Sequence, residues 1–226
     1  MRYAIYYMPP TGSLLWSFGS HILGYDAARS IDVPFPETAT GLPWMQWTSD
    51  PRRYGFHATL KAPFYLTEGA GEADLIDIAR QFASRRTTFE EPALQLTATS
   101  GFLGLTLKRE SVRLSQLADD AVREFDVLRA PLTQADRARN RMRPLSPRQV
   151  QHLEHWGYPY VLEDFTFHMT LSNSLPAMEL SQMRPLVAKL YLEIAEPLLV
   201  DAIAVFKQPT PASRFHLLER IRLGAA

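Results

Sequence analysis

No cysteine occurs in the 226-residue chain, which excludes disulfides, thiolate metal sites and a cysteine nucleophile together. That absence agrees with a reducing, cytoplasmic setting. Net charge is missing too. The 24 acidic residues balance 24 basic ones, so the molecule as a whole has no field to hold long nucleic acid by counterion release, and any anion site has to be local. Nor is there a long apolar run. The opening "MRYAIYYMPP" is broken by Pro9 and Pro10, too short for a signal segment or a membrane span, and a soluble protein without membrane contact is expected. What is present is 46% hydrophobic content, enough for a sizeable core. One two-lobed domain over residues 1–226 is the expectation.

Tyr3 to Tyr7 reads as a strand. Residues 11–50 are rich in Gly, Pro, Ser and Trp and read as a short helix followed by a long covering loop, either a lid or a cover for the sheet. "EADLIDIARQFASRR" places Leu75, Ile76, Ala79, Phe82 and Ala83 on one helical face, and "SQLADDAVREFDVLRAPL" does the same with Leu117, Ala121, Val122, Phe125 and Leu128. Two strands flank Gly101. "LSPRQVQHLEHWG" has Ser146 as N-cap, Pro147 at the first helical position, Gln149 closing a capping box and Gly157 as the stop. A helix over 180–192 and strands over 200–206 and 214–223 complete the chain. Strands interspersed with helices and joined by turns predict an α+β fold with antiparallel sheets.

Histidine is scarce, with six in all, yet two recur in one context. "RYGFHATLKAPF" (residues 53–64) and "EDFTFHMTLSNS" (residues 163–174) share Phe-His-x-Thr-Leu. The histidines stand about half a chain apart, which predicts two related halves. Alternation along a strand puts His57, Thr59 and Lys61 on one face with Phe56, Ala58 and Leu60 on the other. The second copy divides the same way, His168 and Thr170 against Phe167, Met169 and Leu171. If the strands lie together, one neutral imidazole can take a proton from an attacking hydroxyl while the other gives one to a leaving oxygen. Thr59 and Thr170 can donate to the non-bridging oxygens of a phosphodiester. That chemistry needs no metal or other cofactor.

Paired His-x-Thr motifs half a chain apart resemble the two-histidine phosphoesterase superfamily. "RYGFHATLKAPF", "RYAIYYMPP" and "HWGYPYVLEDFTFHMTLS" are similar to its branch associated with bacterial phosphonate-utilisation operons. The resemblance implies a bilobal α+β fold in which two pseudo-symmetric antiparallel sheets flank a central cleft, with His57 and His168 as the acid/base pair and Thr59 and Thr170 as phosphate-binding hydroxyls. It also implies a small phosphorylated substrate, a cyclic phosphate ester of a sugar or nucleotide. An RNA end with a 2′,3′-cyclic phosphate and a non-catalytic binder of a phosphorylated metabolite are the alternatives.

Further contacts are expected from Lys61, from Arg53 at the mouth of the cleft, and from Tyr6 and Tyr158 as rings to stack a base or cover a sugar. Arg137, Arg139, Arg141 and Arg143 alternate in "DRARNRMRP" and are candidates for a second phosphate, or else a solvated loop. His152 and His155 could add metal ligands, but zinc takes three or four, and Glu154 and Trp156 suit an ordinary helix surface. Oligomeric state is not legible.

Overall fold

The computed structural model describes residues 1–99, 101–140 and 144–224. β1 (Arg2–Tyr7) enters the core directly, with Ala4, Ile5, Tyr6 and Tyr7 buried. α1 (Leu14–Leu23) follows, capped by the Ser13 side chain, which accepts from the Trp16 N–H, and ended by Gly24 in the left-handed region. The short strands β2 (Tyr25–Asp26) and β3 (Ile31–Asp32) pair with each other. The one-turn helices α2 (Trp44–Trp47) and α3 (Ser49–Arg52) then lead into β4 (Ala58–Phe64).

The helix expected in 11–50 is α1, and residues 33–43 are irregular apart from one short 3-10 turn, as their prolines predict; the end of the segment differs, its one-turn helices α2 and α3 packing into the core. Trp44 and Trp47 are both buried, and the Trp44 indole N–H donates to the Ile22 carbonyl at 2.9 Å. The sequence offered little periodicity here because each piece is too short to repeat, and its apolar residues meet the core only through tertiary contacts.

α4 (Glu72–Ser84) and α5 (Val112–Glu124) fall where their apolar faces place them. Between them run β5 (Phe89–Glu91), β6 (Gln95–Thr99) and β7 (Phe102–Thr106). α6 (Gln134–Asn140) precedes α7 (Pro147–Trp156), which carries the expected Ser146/Gln149 box and ends at Gly157 with φ +79. β8 (His168–Thr170) is only three residues long, and α8 (Ala177–Leu192) follows it. The single strand expected near the C-terminus is two, β9 (Leu198–Val200) and β10 (Ala202–Gln208), before β11 (His216–Arg222) closes the chain.

The main sheet has the order β11-β10-β1-β4-β8-β7-β6, and all of its pairings are antiparallel. The α+β class with antiparallel sheets holds. Four strands on one side and three on the other meet through one residue pair, Ala58 with Met169, so the two halves adjoin at the two sequence motifs. α4 lies against β10 and β11, and α5 against β4. Among the described residues no helix is long and apolar enough to cross a membrane.

Candidate active site

Each histidine is set by the apolar residues around it. Phe56, Ala58 and Leu60 are buried, as are Phe167, Met169 and Leu171, which turns His57, Thr59, His168 and Thr170 to the opposite face. Outward from the Ala58–Met169 pair, His57 lies on the side of Thr170 and Thr59 on the side of His168. All four line one cleft of about 410 Å³. The structure thus brings the four central residues together.

The two imidazoles are held by the same device. His57 Nδ1 is 2.9 Å from the carbonyl of Gly55, and His168 Nδ1 is 2.8 Å from the carbonyl of Thr166, each two residues earlier. A carbonyl can only accept, so Nδ1 carries the proton in both rings and Nε2 is the atom left for chemistry. The Thr59 hydroxyl stands 3.2 Å from His57 Nε2 and can donate to it. Gly55 makes the first of these bonds possible. Its φ is +77, and a Cβ there would lie 2.5 Å from the Ala27 Cβ, so a side chain is excluded by both conformation and space.

The environments differ. The His57 ring stacks on Tyr6, centroids 3.7 Å apart at 24°, with Phe206 and Tyr54 beyond, whereas His168 meets the edge of the site at Phe102, 6.1 Å away. Burial, opposed by the Gly55 bond and reinforced by the nearby His168, lowers the His57 pKa from 6.5 to about 4. His57 is therefore neutral at physiological pH, because a low-dielectric surround disfavours its charged form.

Tyr6 is fully buried, with its own pKa raised by that burial. It lines the cleft, but the ring face expected to stack a base or cover a sugar is stacked on His57 instead. Tyr158 does line the cleft and packs edge-on against Tyr160.

Lys61 is not brought to the histidines. In the β1–β4 pairing Tyr6 faces Thr59 but Ile5 faces Lys61, so Leu60 is a bulge residue and the strict alternation breaks there. Lys61 turns to α5, donating to the Val122 carbonyl at 2.8 Å and to Asp126 at 3.0 Å. Burial depresses its pKa to about 8, against the pull of Asp126. Arg53 also points elsewhere, donating to the Pro211 carbonyl at 3.1 Å, because the chain is still leaving α3 there and has not entered the strand. Of the arginine run, Arg137 is paired with Glu154 at 2.9 Å. Arg141, Arg143 and the side chain of Arg139 lie outside the described residues. His152 sits between Glu163 and Asp164 and His155 against Trp156. Among the described residues no group of three His, Asp or Glu is arranged to hold a metal ion.

Asn173 was missed by sequence reasoning. Its side chain accepts from the Asp50 N–H and donates to the Gln46 carbonyl and the Ser49 hydroxyl, each at 2.9 Å, and its N–H donates to the Trp47 carbonyl at 2.7 Å. It thereby ties α2 and α3 to the second motif and builds one wall of the cleft. Ser172 joins β7 to the same segment, accepting from the Leu103 N–H at 2.9 Å. Alternation puts Ser172 on the face of His168 and Thr170, whereas the side-chain partners of Asn173 lie 123 to 127 residues away in sequence, and no local pattern marks it.

Residues 59–216 match the family model described as "Protein of unknown function (DUF1045)". Two curated proteins, both called ribose 1,5-bisphosphate phosphokinase PhnN, are similar over nearly the whole chain. The protein from Janthinobacterium sp. (strain Marseille) is 35% identical over 233 residues, covering 97% of this chain and 50% of the relative. That from Laribacter hongkongensis (strain HLHK9) is 33% identical over 228 residues, covering 99% and 52%. The chain spans about half the length of the curated relatives it matches. Among solved structures, E. coli LigT complexed with 3′-AMP aligns over 99% of this chain and 98% of its own, at 13% identity and a TM-score of 0.43. TT0787 of Thermus thermophilus aligns over 100% and 99%, at 13% identity and 0.45.

Proposed function

The chain belongs to the DUF1045 family, and we propose that it is a metal-independent phosphodiesterase that opens a small cyclic phosphate ester by acid–base catalysis between His57 and His168. The observation that carries this reading is the pairing of two His-x-Thr units across Ala58 and Met169, each imidazole tied through Nδ1 to the carbonyl two residues before it. Two orienting bonds of one kind, with both Nε2 atoms available to one cleft, suit a reaction that needs one proton taken and one given.

In the proposed mechanism His57, neutral because it is buried, accepts a proton from water at Nε2 as the water oxygen attacks phosphorus. Protonated His168 gives its Nε2 proton to the departing ester oxygen as the P–O bond breaks. The Thr59 hydroxyl, turned from His57 Nε2 to the bound phosphate, and the Thr170 hydroxyl donate to the non-bridging oxygens, where charge builds in the transition state. The ring opens to a monoester, and the two histidines regain their starting protonation through solvent.

The names of the relatives support a phosphorylated sugar as substrate. Hydrolysis of ribose 1,2-cyclic phosphate 5-phosphate at the bond to O2 yields ribose 1,5-bisphosphate, the compound for which those phosphokinases are named. Such a reaction would belong to phosphonate breakdown, where sugar cyclic phosphates arise.

The test is phosphorus NMR of EDTA-treated protein with three substrates: ribose 1,2-cyclic phosphate 5-phosphate, 2′,3′-cyclic nucleotides and an oligoribonucleotide with a 2′,3′-cyclic end. The first is expected to convert to a monoester, with conversion lost in both His57→Ala and His168→Ala. Conversion of the oligonucleotide alone would move the assignment to RNA ends. Shifted or broadened signals without any conversion would make the protein a binder.

A further inference from the structure

Beside the histidine cleft lies a second cavity of about 420 Å³. The two share lining residues Tyr54, Ala62, Pro63 and Tyr158, so they adjoin. Three cations line the second cavity: Arg2, Lys61 and Arg129. Lys61 Nζ and Arg129 Nε share a single carboxylate, that of Asp126, at 3.0 and 2.7 Å, which leaves one of those two positive charges uncompensated. Arg2 has no carboxylate partner among the described residues. Its Nε and Nη2 both donate to the neutral side-chain oxygen of Gln208, at 2.8 and 2.5 Å.

One acid, Asp136, also lines the cavity, with Oδ2 accepting from the N–H and hydroxyl of Thr133 at 3.2 and 2.6 Å. Counting Asp126, three cations stand against two carboxylates in a molecule whose overall charge is balanced. Such a local excess in a partly enclosed site favours an anion.

Packed side chains along β1 link Arg2 to the histidine cleft. Arg2 shares the Tyr6 face of that strand, two alternations away. The Arg2 guanidinium lies 5.5 Å over the Phe215 ring, which in turn contacts Tyr6 at 6.3 Å and Tyr54 at 5.3 Å, and Tyr6 carries His57 on its face.

We propose that this cavity is the subsite for a second phosphate on the substrate, remote from the ester that is opened, with Arg2 as its direct ligand and Lys61 and Arg129 supplying positive charge behind it. The inference rests on the phosphodiesterase reading and narrows its substrate to a cyclic phosphate that carries a further phosphoryl group. Lys61 thus serves a phosphate, but not the one at the histidines.

The experiment compares ribose 1,2-cyclic phosphate with its 5-phosphate in the wild type, Arg2→Gln and Arg129→Gln. The ratio of kcat/KM for the two substrates is expected to favour the 5-phosphate in the wild type. It should fall about 10- to 100-fold in Arg2→Gln, the size of a lost charge-assisted hydrogen bond. Wild-type ratios near one, or ratios unchanged in both variants while turnover still depends on His57, would overturn the subsite and leave the phosphodiesterase standing. Calorimetric titration with ribose 5-phosphate judges the subsite without turnover. Binding about tenfold or more weaker in Arg2→Gln supports it, and no binding to the wild type, or equal binding to both, refutes it. If Arg129→Gln fails to fold, the Arg2 variant decides alone.

Discussion

Replacing either His57 or His168 by alanine is expected to lower kcat/KM by at least ~10², within the 10²–10⁴-fold usual for a general acid or base. The two losses should not add. The two histidines move different protons in one and the same step, so the double variant should be little worse than the poorer single one. The fold should survive, because both rings line the cleft and the apolar rows behind them are untouched. Phosphorus NMR or a coupled phosphate assay measures the rates, and wild-type turnover in both single variants would remove the proposed role.

The pH profile tests the same assignment. With the His57 pKa lowered to about 4 by burial, the acid limb of kcat/KM should fall near that value and not near 6.5. An alkaline limb should close the bell, both limbs belonging to the coupled pair. The linkage sign follows from the same shift. The unfolded chain binds this proton near 6.5 and the folded chain only near 4, so ν_U exceeds ν_N between them and stability rises with pH across that window. Acid-limb rates are accordingly read together with a folding signal such as near-ultraviolet circular dichroism.

Phe56→Ala is expected to cost about 3–5 kcal/mol, the range for deleting a fully buried aromatic ring, and to lower Tm by roughly 6–20 °C for a chain of this length. Phe56 has no exposed surface, and its ring fills a notch on α1 left by Gly19, where an added Cβ would lie 2.1 Å from the ring atoms. That notch is backbone and cannot collapse inward, so the cavity penalty adds to the lost transfer energy. The residue also stands immediately before His57, and loosening it should reduce kcat beyond any loss of folded protein. Thermal and denaturant unfolding measure the stability. A cost below about 1 kcal/mol would show that α1 does not anchor the first motif. Gly19→Ala probes the same contact from the opposite side and should also destabilise, since the ring has no room to move.

Much of this was legible in the chain because the physics is local. The caps of α7 are hydrogen bonds between residues three apart, Ser146 to Gln149, and Gly157 stops the helix by its own conformation. α4 and α5 follow from apolar residues at helical spacing. The His-x-Thr pairs followed from period-two alternation around buried Phe, Ala, Met and Leu, which needs only that a strand exist. What the tertiary structure decided depends on partners far away in sequence. A bulge opposite Ile5 and Tyr6 sent Lys61 to Asp126, because strand register is a property of two strands and not of one. Tyr6 became the bed of His57 through the same pairing. Asn173 became a wall of the cleft only because Gln46, Ser49 and Asp50 were folded against it. Spacing along the chain marked the two His-x-Thr pairs and the face of the strand that each occupies. The long-range pairing of β4 with β8 determined that they meet, and burial against Tyr6 lowered the proton affinity of His57, since neither contact nor dielectric is encoded by spacing along the chain.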